Sequence, residues 1–159
     1  MLKLLWCLFS NSHSLWVHWV RKYLIRDEVL WDVKDTGLGS WVWWKLLSVR
    51  QLPKNFLRME IKDGSLVRFW TDIWHPKGRL IELTGEIGTQ KVGIRRDTTI
   101  NDIYVDGRWR FRRCQDPLIQ GMIQDVERFP LTLSSGRDEA LRRRGTDDYI
   151  SRFIASETC

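Results

Sequence analysis

Residues 57–76 read LRMEIKDGSLVRFWTDIWHP, and the rest of the chain is divided by how this stretch folds. Leu57, Met59 and Ile61 alternate with Arg58, Glu60 and Lys62, the period-two pattern of a strand with one covered face. Asp63-Gly64 follows, and then a second strand-like run from Ser65 to Thr71. Asp-Gly between two such runs predicts a β-hairpin, because both central positions of a type I′ turn take positive φ. A two-residue loop would pair Lys62 with Ser65 and Ile61 with Leu66. Leu57, Met59, Ile61, Leu66 and Trp70 would then share one face, with Arg68 intruding on it and its head in solvent.

Toward the N-terminus the period changes to that of helices. Leu15, Trp16, Trp19, Val20, Tyr23 and Leu24 recur at helical spacing, with Ser14 as cap and Arg21, Lys22 and Arg26 off the stripe. This predicts a helix from Ser14 to about Arg26. A second helix is predicted over Leu38–Leu52, with Ser40 at its N-cap and Pro53 at its end. Met1 to Phe9 is apolar but lacks a cleavage pattern, and it is far short of the roughly 20 residues that span a bilayer. It is expected to be a buried element.

Toward the C-terminus, residues 75–97 are rich in glycine and polar residues and are expected to form an extended loop with short strands. Thr99–Tyr104 reads as one helical turn before an Asp106-Gly107 turn. Asp116-Pro117 starts a helix whose stripe is Leu118, Ile119, Met122, Ile123 and Val126, ended by Phe129-Pro130. Arg142–Arg144 is expected in a loop and Tyr149–Ile154 in a short strand. The fold class expected is α+β: N-terminal amphipathic helices, a central hairpin, irregular loops and a C-terminal helix. The chain is taken as one region, 1–159, with a Trp-rich helical part (1–53) and a hairpin, loop and helix part (54–159).

Nine of the ten tryptophans precede His75. Trp is large with a single polar N–H, so such enrichment asks for much buried surface and implies neighbours beyond a small domain. A protein partner for a Trp-rich surface follows as one expectation. Apolar content of 43% and charge of 29% exclude wholesale disorder. The net charge of +6 points to polyanionic partners, nucleic acid or an acidic membrane, of which RNA or DNA is the partner expected. Three scattered cysteines, Cys7, Cys114 and Cys159, argue against a secreted disulfide framework and for an intracellular setting, nucleus or cytoplasm.

Arg108-Trp109-Arg110-Phe111-Arg112-Arg113 is the strongest local binding candidate. In a strand its aromatics fall on one face and Arg108, Arg110 and Arg112 on the other. Two readings stay open: a half-buried strand with Trp109 and Phe111 in the core, or a surface on which arginines meet phosphates and aromatics stack on bases. His13, His18 and His75 have no convergent partners at ligand spacing, and Asp147-Asp148 reads as a turn. No phosphate loop, G-x-S-x-G or H-E-x-x-H pattern occurs. No cofactor, metal site, membrane partner or catalytic residue is expected.

Several words in order resemble the plant non-LTR (LINE-type) retrotransposon reverse-transcriptase-related proteins. They are Leu2-Lys3-Leu4-Leu5-Trp6, Ser14-Leu15-Trp16-Val17-His18-Trp19-Val20 and Ser40-Trp41-Val42-Trp43-Trp44-Lys45-Leu46-Leu47. Asp63-Gly64, Phe69-Trp70-Thr71-Asp72-Ile73-Trp74-His75-Pro76-Lys77-Gly78, Leu80 to Gly85 and Asp148-Tyr149-Ile150-Ser151-Arg152-Phe153 continue the likeness. The resemblance implies the connector that follows the polymerase domain and approaches a C-terminal zinc-binding domain. The family's Tyr-x-Asp-Asp motif and Cys/His cluster are absent from the sequence, and Cys159 stands where the family pattern has tryptophan. The resemblance therefore implies an incomplete domain, a truncated, domesticated or decaying copy with an internal methionine as its start. It would be a non-catalytic remnant that at most binds RNA or DNA through a basic surface. The alternative is a structural or protein-interaction fragment with no nucleic-acid function.

Overall fold

The computed structural model describes residues 2–10, 14–26, 28–34, 37, 39–143 and 148–151. The chain is α+β, as its patterning predicts. It forms two compact units: residues 1–57 with 140–159, and residues 58–139. The division falls just after Leu57, and the C-terminal residues return to the first unit.

The first unit begins with α1 (Leu2–Phe9), in which Leu5, Trp6 and Leu8 are buried. Helix α2 (Leu15–Val20) continues as one wide π-helical turn, Arg21–Ile25. Its buried residues are Val17, Val20 and Ile25, whereas Leu15, Trp19 and Tyr23 of the predicted stripe lie on the surface. The covered side of α2 is that of Val17 and Val20, which leaves Leu15 and Trp19 outside, and the wide turn shifts the angular phase only of the residues after Val20. Helix α3 (Trp41–Val49) is capped by Ser40, whose hydroxyl accepts from the Trp43 N–H at 3.4 Å. It ends before a single 3₁₀ turn, Leu52–Asn55, that contains Pro53. Trp43, Leu46 and Leu47 join α1 and α2 in one apolar cluster.

Strand β1 (Leu57–Glu60) is where the predicted hairpin begins and also where the prediction fails. No second strand follows Asp63-Gly64. Strands β4 (Glu139–Arg143) and β5 (Tyr149–Ile150) supply the ladder, in the order β1-β4-β5. The Arg143 N–H donates to the Phe56 carbonyl at 2.7 Å, and β5 pairs antiparallel with β4 through Arg142↔Ile150 and Arg143↔Tyr149. Arg142, expected in a loop, is therefore a buried strand residue. Arg144 and residues 152–154 of the predicted tail strand lie outside the described residues.

The second unit is organised around residues 67–75. Val67, Phe69, Trp70, Thr71, Trp74 and His75 are all at most 5% exposed, so this segment is buried on every side and does not alternate. Of the predicted face, Leu57 and Trp70 are buried and Leu66 is on the surface, and Val67 and Phe69, predicted to face away, are in the core as well. Burying adjacent tryptophans requires partners for their N–H groups. Trp70 donates to the Ile94 carbonyl and Trp74 to the Phe69 carbonyl, both at 2.9 Å.

The expected loop at 75–97 is mostly helix. Helix α4 (Leu80–Val92) buries Leu80, Ile81, Gly88 and Val92 and is kinked at Gly85, whose φ is +65°. Its glycines conceal it from a propensity reading, yet Gly88 is required by packing. A Cβ there would meet the Trp70 ring at 3.2 Å and collide with the Thr84 side chain. Gly93, with φ +74°, closes the helix in the left-handed conformation that frees it to turn. Next come α5 (Ile100–Ile103), β2 (Tyr104–Val105) and β3 (Arg108–Trp109), and then α6 (Pro117–Arg128). The Thr99–Asp102 capping box fixes the start of α5, and Asp106-Gly107 joins β2 to β3 in a two-residue turn. The Asp116 carboxylate caps α6 on the Leu118 N–H at 3.0 Å. Ile119, Met122 and Val126 are buried as predicted; Leu118 is on the surface.

Candidate nucleic-acid interface

The segment 108–113 takes its shape from three backbone restraints. Register pairing Tyr104↔Trp109 and Val105↔Arg108 sets its first two residues. The Arg110 N–H then donates to the Ile103 carbonyl at 2.9 Å, and the Arg112 N–H to the Val92 carbonyl at 3.1 Å. Alternate N–H groups are thus tied to the unit. The ladder covers only Arg108–Trp109, and the remainder is an extended ribbon rather than the full predicted strand.

The ribbon keeps the predicted alternation of faces. Trp109 and Phe111 are half-buried and pack on the second unit's core. Their rings stack with centroids 5.6 Å apart and planes at 9°, and each also lies 5.8 Å from Phe69. The core reading of the two aromatics is the one the structure supports. Arg108, Arg110, Arg112 and Arg113 are exposed, and among the described residues none of the four has an ion-pair partner.

Beyond Arg113 the ribbon runs beside α6. The Gln120 side-chain amide donates to the Cys114 carbonyl at 2.9 Å and joins the two. Lys91, in the last turn of α4, meets the Asp116 carboxylate at 2.5 Å at the start of α6. The hydrogen bond from Lys91 holds the Asp116 carboxyl below the usual carboxylate range, and the same contact raises Lys91. Between ribbon and helix lies an open depression of about 540 Å³. Phe111, Arg112 and Arg113 line one side, and Gln120, Ile123 and Gln124 the other. The α6 residues recur at i, i+3 and i+4, which is the helix's outward face. Ile123 belongs to the predicted apolar stripe, and nothing in the sequence showed that the ribbon would lie alongside Gln120 and Gln124.

His75 is occupied within the fold. Its Nδ1 accepts from the Lys77 N–H at 3.3 Å, and its ring lies 5.4 Å from Phe129 and 5.5 Å from Trp74. Burial holds the imidazole below the usual histidine range, against a hydrogen bond with the Asp125 backbone and the Asp125 charge. Asp125 itself is lowered, first by its hydrogen bond from Lys77. His18 is exposed, and His13 and Asp147 lie outside the described residues. Cys7 and Cys114 are free thiols. Among the described residues no group of three His, Cys, Asp or Glu side chains is placed to hold a metal ion. No described helix is long and apolar enough to cross a membrane.

The first unit presents a different surface. Trp41 is 73% exposed, and Trp19, Tyr23 and Trp44 are each at least 42% exposed. Trp19 and Tyr23 contact each other at 5.8 Å, and the Lys22 ammonium lies 5.4 Å from the Tyr23 ring.

No protein-family model, curated protein or solved structure matches the chain.

Proposed function

We propose that this chain is a non-catalytic nucleic-acid-binding module whose contact surface is the 108–113 ribbon. The observation that carries the reading is four exposed arginines without ion-pair partners among the described residues, on a segment whose backbone is fixed. In an extended chain every second residue advances roughly 6.6 Å, a step comparable to successive phosphates of an extended strand. Unpaired guanidinium groups at that spacing neutralise phosphates without first breaking internal ion pairs. The net charge of +6 acts in the same direction. The resemblance to the reverse-transcriptase-related connector supplies a consistent origin, an intracellular remnant near RNA or DNA with no polymerase chemistry.

The test is fluorescence anisotropy with a labelled oligonucleotide over a salt series. Four neutralised phosphates on a single strand give a slope of log K against log salt near −2.8, about −0.7 for each. Affinity is then expected to fall about 50-fold between 50 and 200 mM salt. Replacing Arg108 and Arg110 by alanine should flatten the slope by about 1.4. Absence of binding at 50 mM salt overturns the proposal.

A second reading rests on the first unit's exposed tryptophans. Large exposed aromatic area marks an interaction surface. In that reading the chain is a structural or protein-interaction fragment. Repeated recovery of one protein partner, lost on replacing Trp41 and Trp44, together with no oligonucleotide binding, would favour it.

A further inference from the structure

We infer that the depression between the ribbon and α6 is a subsite for an unpaired base, which makes the ligand a single strand. This rests on the nucleic-acid reading above and narrows it. The volume of about 540 Å³ falls within the range of small-molecule sites, roughly 300–1,000 Å³. Its composition suits a nucleotide in parts. Phe111 packs on the core and is only half-buried, so that its uncovered part and the Ile123 side chain offer an apolar surface for a base face. Gln120 and Gln124 bring amide groups that can donate and accept along a base edge. Arg112 and Arg113 also line it and can neutralise a phosphate. Glu127 also lines the depression, and its carboxylate repels phosphate and accepts from an exocyclic amine. The charges therefore orient a nucleotide with its phosphate on the arginine side and its base toward Glu127.

The arrangement separates base recognition from plain charge attraction. A duplex carries the higher phosphate density, so a ribbon acting only through arginine charge binds duplex at least as well as single strand. A duplex also keeps its base faces stacked, out of reach of Phe111 and Ile123. Preference for the single strand requires contact with bases.

The experiment compares a 12-nucleotide single strand with the duplex of the same sequence on the full chain, reading anisotropy and alkylation of Cys114. Cys114 lines the depression and is half-buried, so an occupant should shield it. Mass spectrometry of the Cys114 peptide distinguishes it from Cys7 and Cys159. The single strand is expected to bind at least tenfold tighter than the duplex and to slow Cys114 alkylation. Gln124→Ala, a change at an exposed helix position, is expected to weaken single-strand binding several-fold and leave duplex binding unchanged. Phe111→Leu is expected to reduce the strand preference, with circular dichroism as a check on folding. Equal affinity for both forms with unshielded Cys114 overturns the subsite while the arginine ribbon stands. Binding of neither form overturns the nucleic-acid reading itself.

Discussion

The chain contains Asp-Gly at 63–64 and again at 106–107, and the two pairs close in different ways. At Asp106-Gly107 both residues take positive φ, +53° and +74°, and strands pair directly across a two-residue turn. Everything that turn needs lies within six residues. At Asp63-Gly64 only the glycine is left-handed, at +69°, and no strand returns. The turn is held from a distance by Asp138. Its carboxylate accepts from the N–H groups of Lys62 (2.7 Å), Gly64 (2.9 Å), Leu66 (2.9 Å) and Val67 (3.2 Å). The Ser134 N–H takes the Lys62 carbonyl and the Asn101 N–H takes the Gly64 carbonyl. A buried carboxylate thus replaces the partner strand as acceptor. The residues after Gly64 explain why: Val67, Phe69 and Trp70 are all buried, and a hairpin strand would put alternate members in solvent.

Removing the distant carboxylate should have the largest effect. Asp138→Ala strands four backbone donors, two of them in the buried residues Gly64 and Val67. At ~1–3 kcal/mol per unsatisfied buried group, denaturant titration should show a loss of about 4 kcal/mol. Asp138→Asn, which keeps one acceptor oxygen, should lose about half of that. A loss below ~1 kcal/mol for the alanine variant would mean the first turn is as self-sufficient as the second.

The two glycines sharpen the contrast. Both are left-handed, so alanine costs roughly 1–2 kcal/mol in conformational strain at either. At Gly107 a Cβ meets nothing within 4 Å, whereas at Gly64 it would lie 3.0 Å from the Asn101 backbone nitrogen. Gly107→Ala should cost only the strain, and Gly64→Ala should cost about 3 kcal/mol in the same titration. Equal losses would show that the docked loop yields freely.

A third turn, His75–Gly78, lies between these extremes. Its ends meet locally through the Gly78 N–H and the His75 carbonyl at 2.9 Å, but the buried His75 ring ties it to Asp125. His75 is depressed below its ordinary value of 6.5. The unfolded chain therefore binds the proton first as pH falls. Stability should be full above pH 6.5 and decline below it until the folded value is passed. His75→Gln should abolish that slope in thermal melts at pH 5–7. The depressed carboxylates Asp116 and Asp125 act in a separate window, losing their contribution as pH falls below 3.8. A slope unchanged in the variant would assign the pH dependence elsewhere. The smallest effect is expected at Asp106→Asn, within about 0.5 kcal/mol, because Asn accepts the left-handed region as readily as Asp. A larger loss would show that the second turn also depends on distant contacts.

Legibility from sequence followed the range of the interactions. The Ser40 cap, the Asp116-Pro117 start of α6 and the Thr99–Tyr104 turn were readable, because each is completed within four residues. Helix α4 was hidden by Gly85 and Gly88, whose reasons are a kink and the distant Trp70 ring. In α2 packing against the first unit's cluster covers Val17 and Val20 rather than Leu15 and Trp19, and the π-helical turn shifts the phase beyond Val20. For the candidate site the alternation of Arg108–Arg112 predicted the two faces correctly. The glutamines of α6 were missed as lining residues because ribbon and helix are brought side by side by contacts at Val92, Asp116 and Cys114.

The sequence by itself determined the α+β class, most helix positions, the basic balance and the exposed arginine face, since period and local capping set these residue by residue. The tertiary structure decided the fate of the first Asp-Gly, the burial of both faces at residues 67–75, and the depression beside α6. Each of these draws on distant partners: Asp138 for the turn, Ile94 for Trp70, and Val92 and Lys91 for the ribbon and α6. Asp138 stands 71–76 residues from the N–H groups it binds, a distance no local pattern encodes.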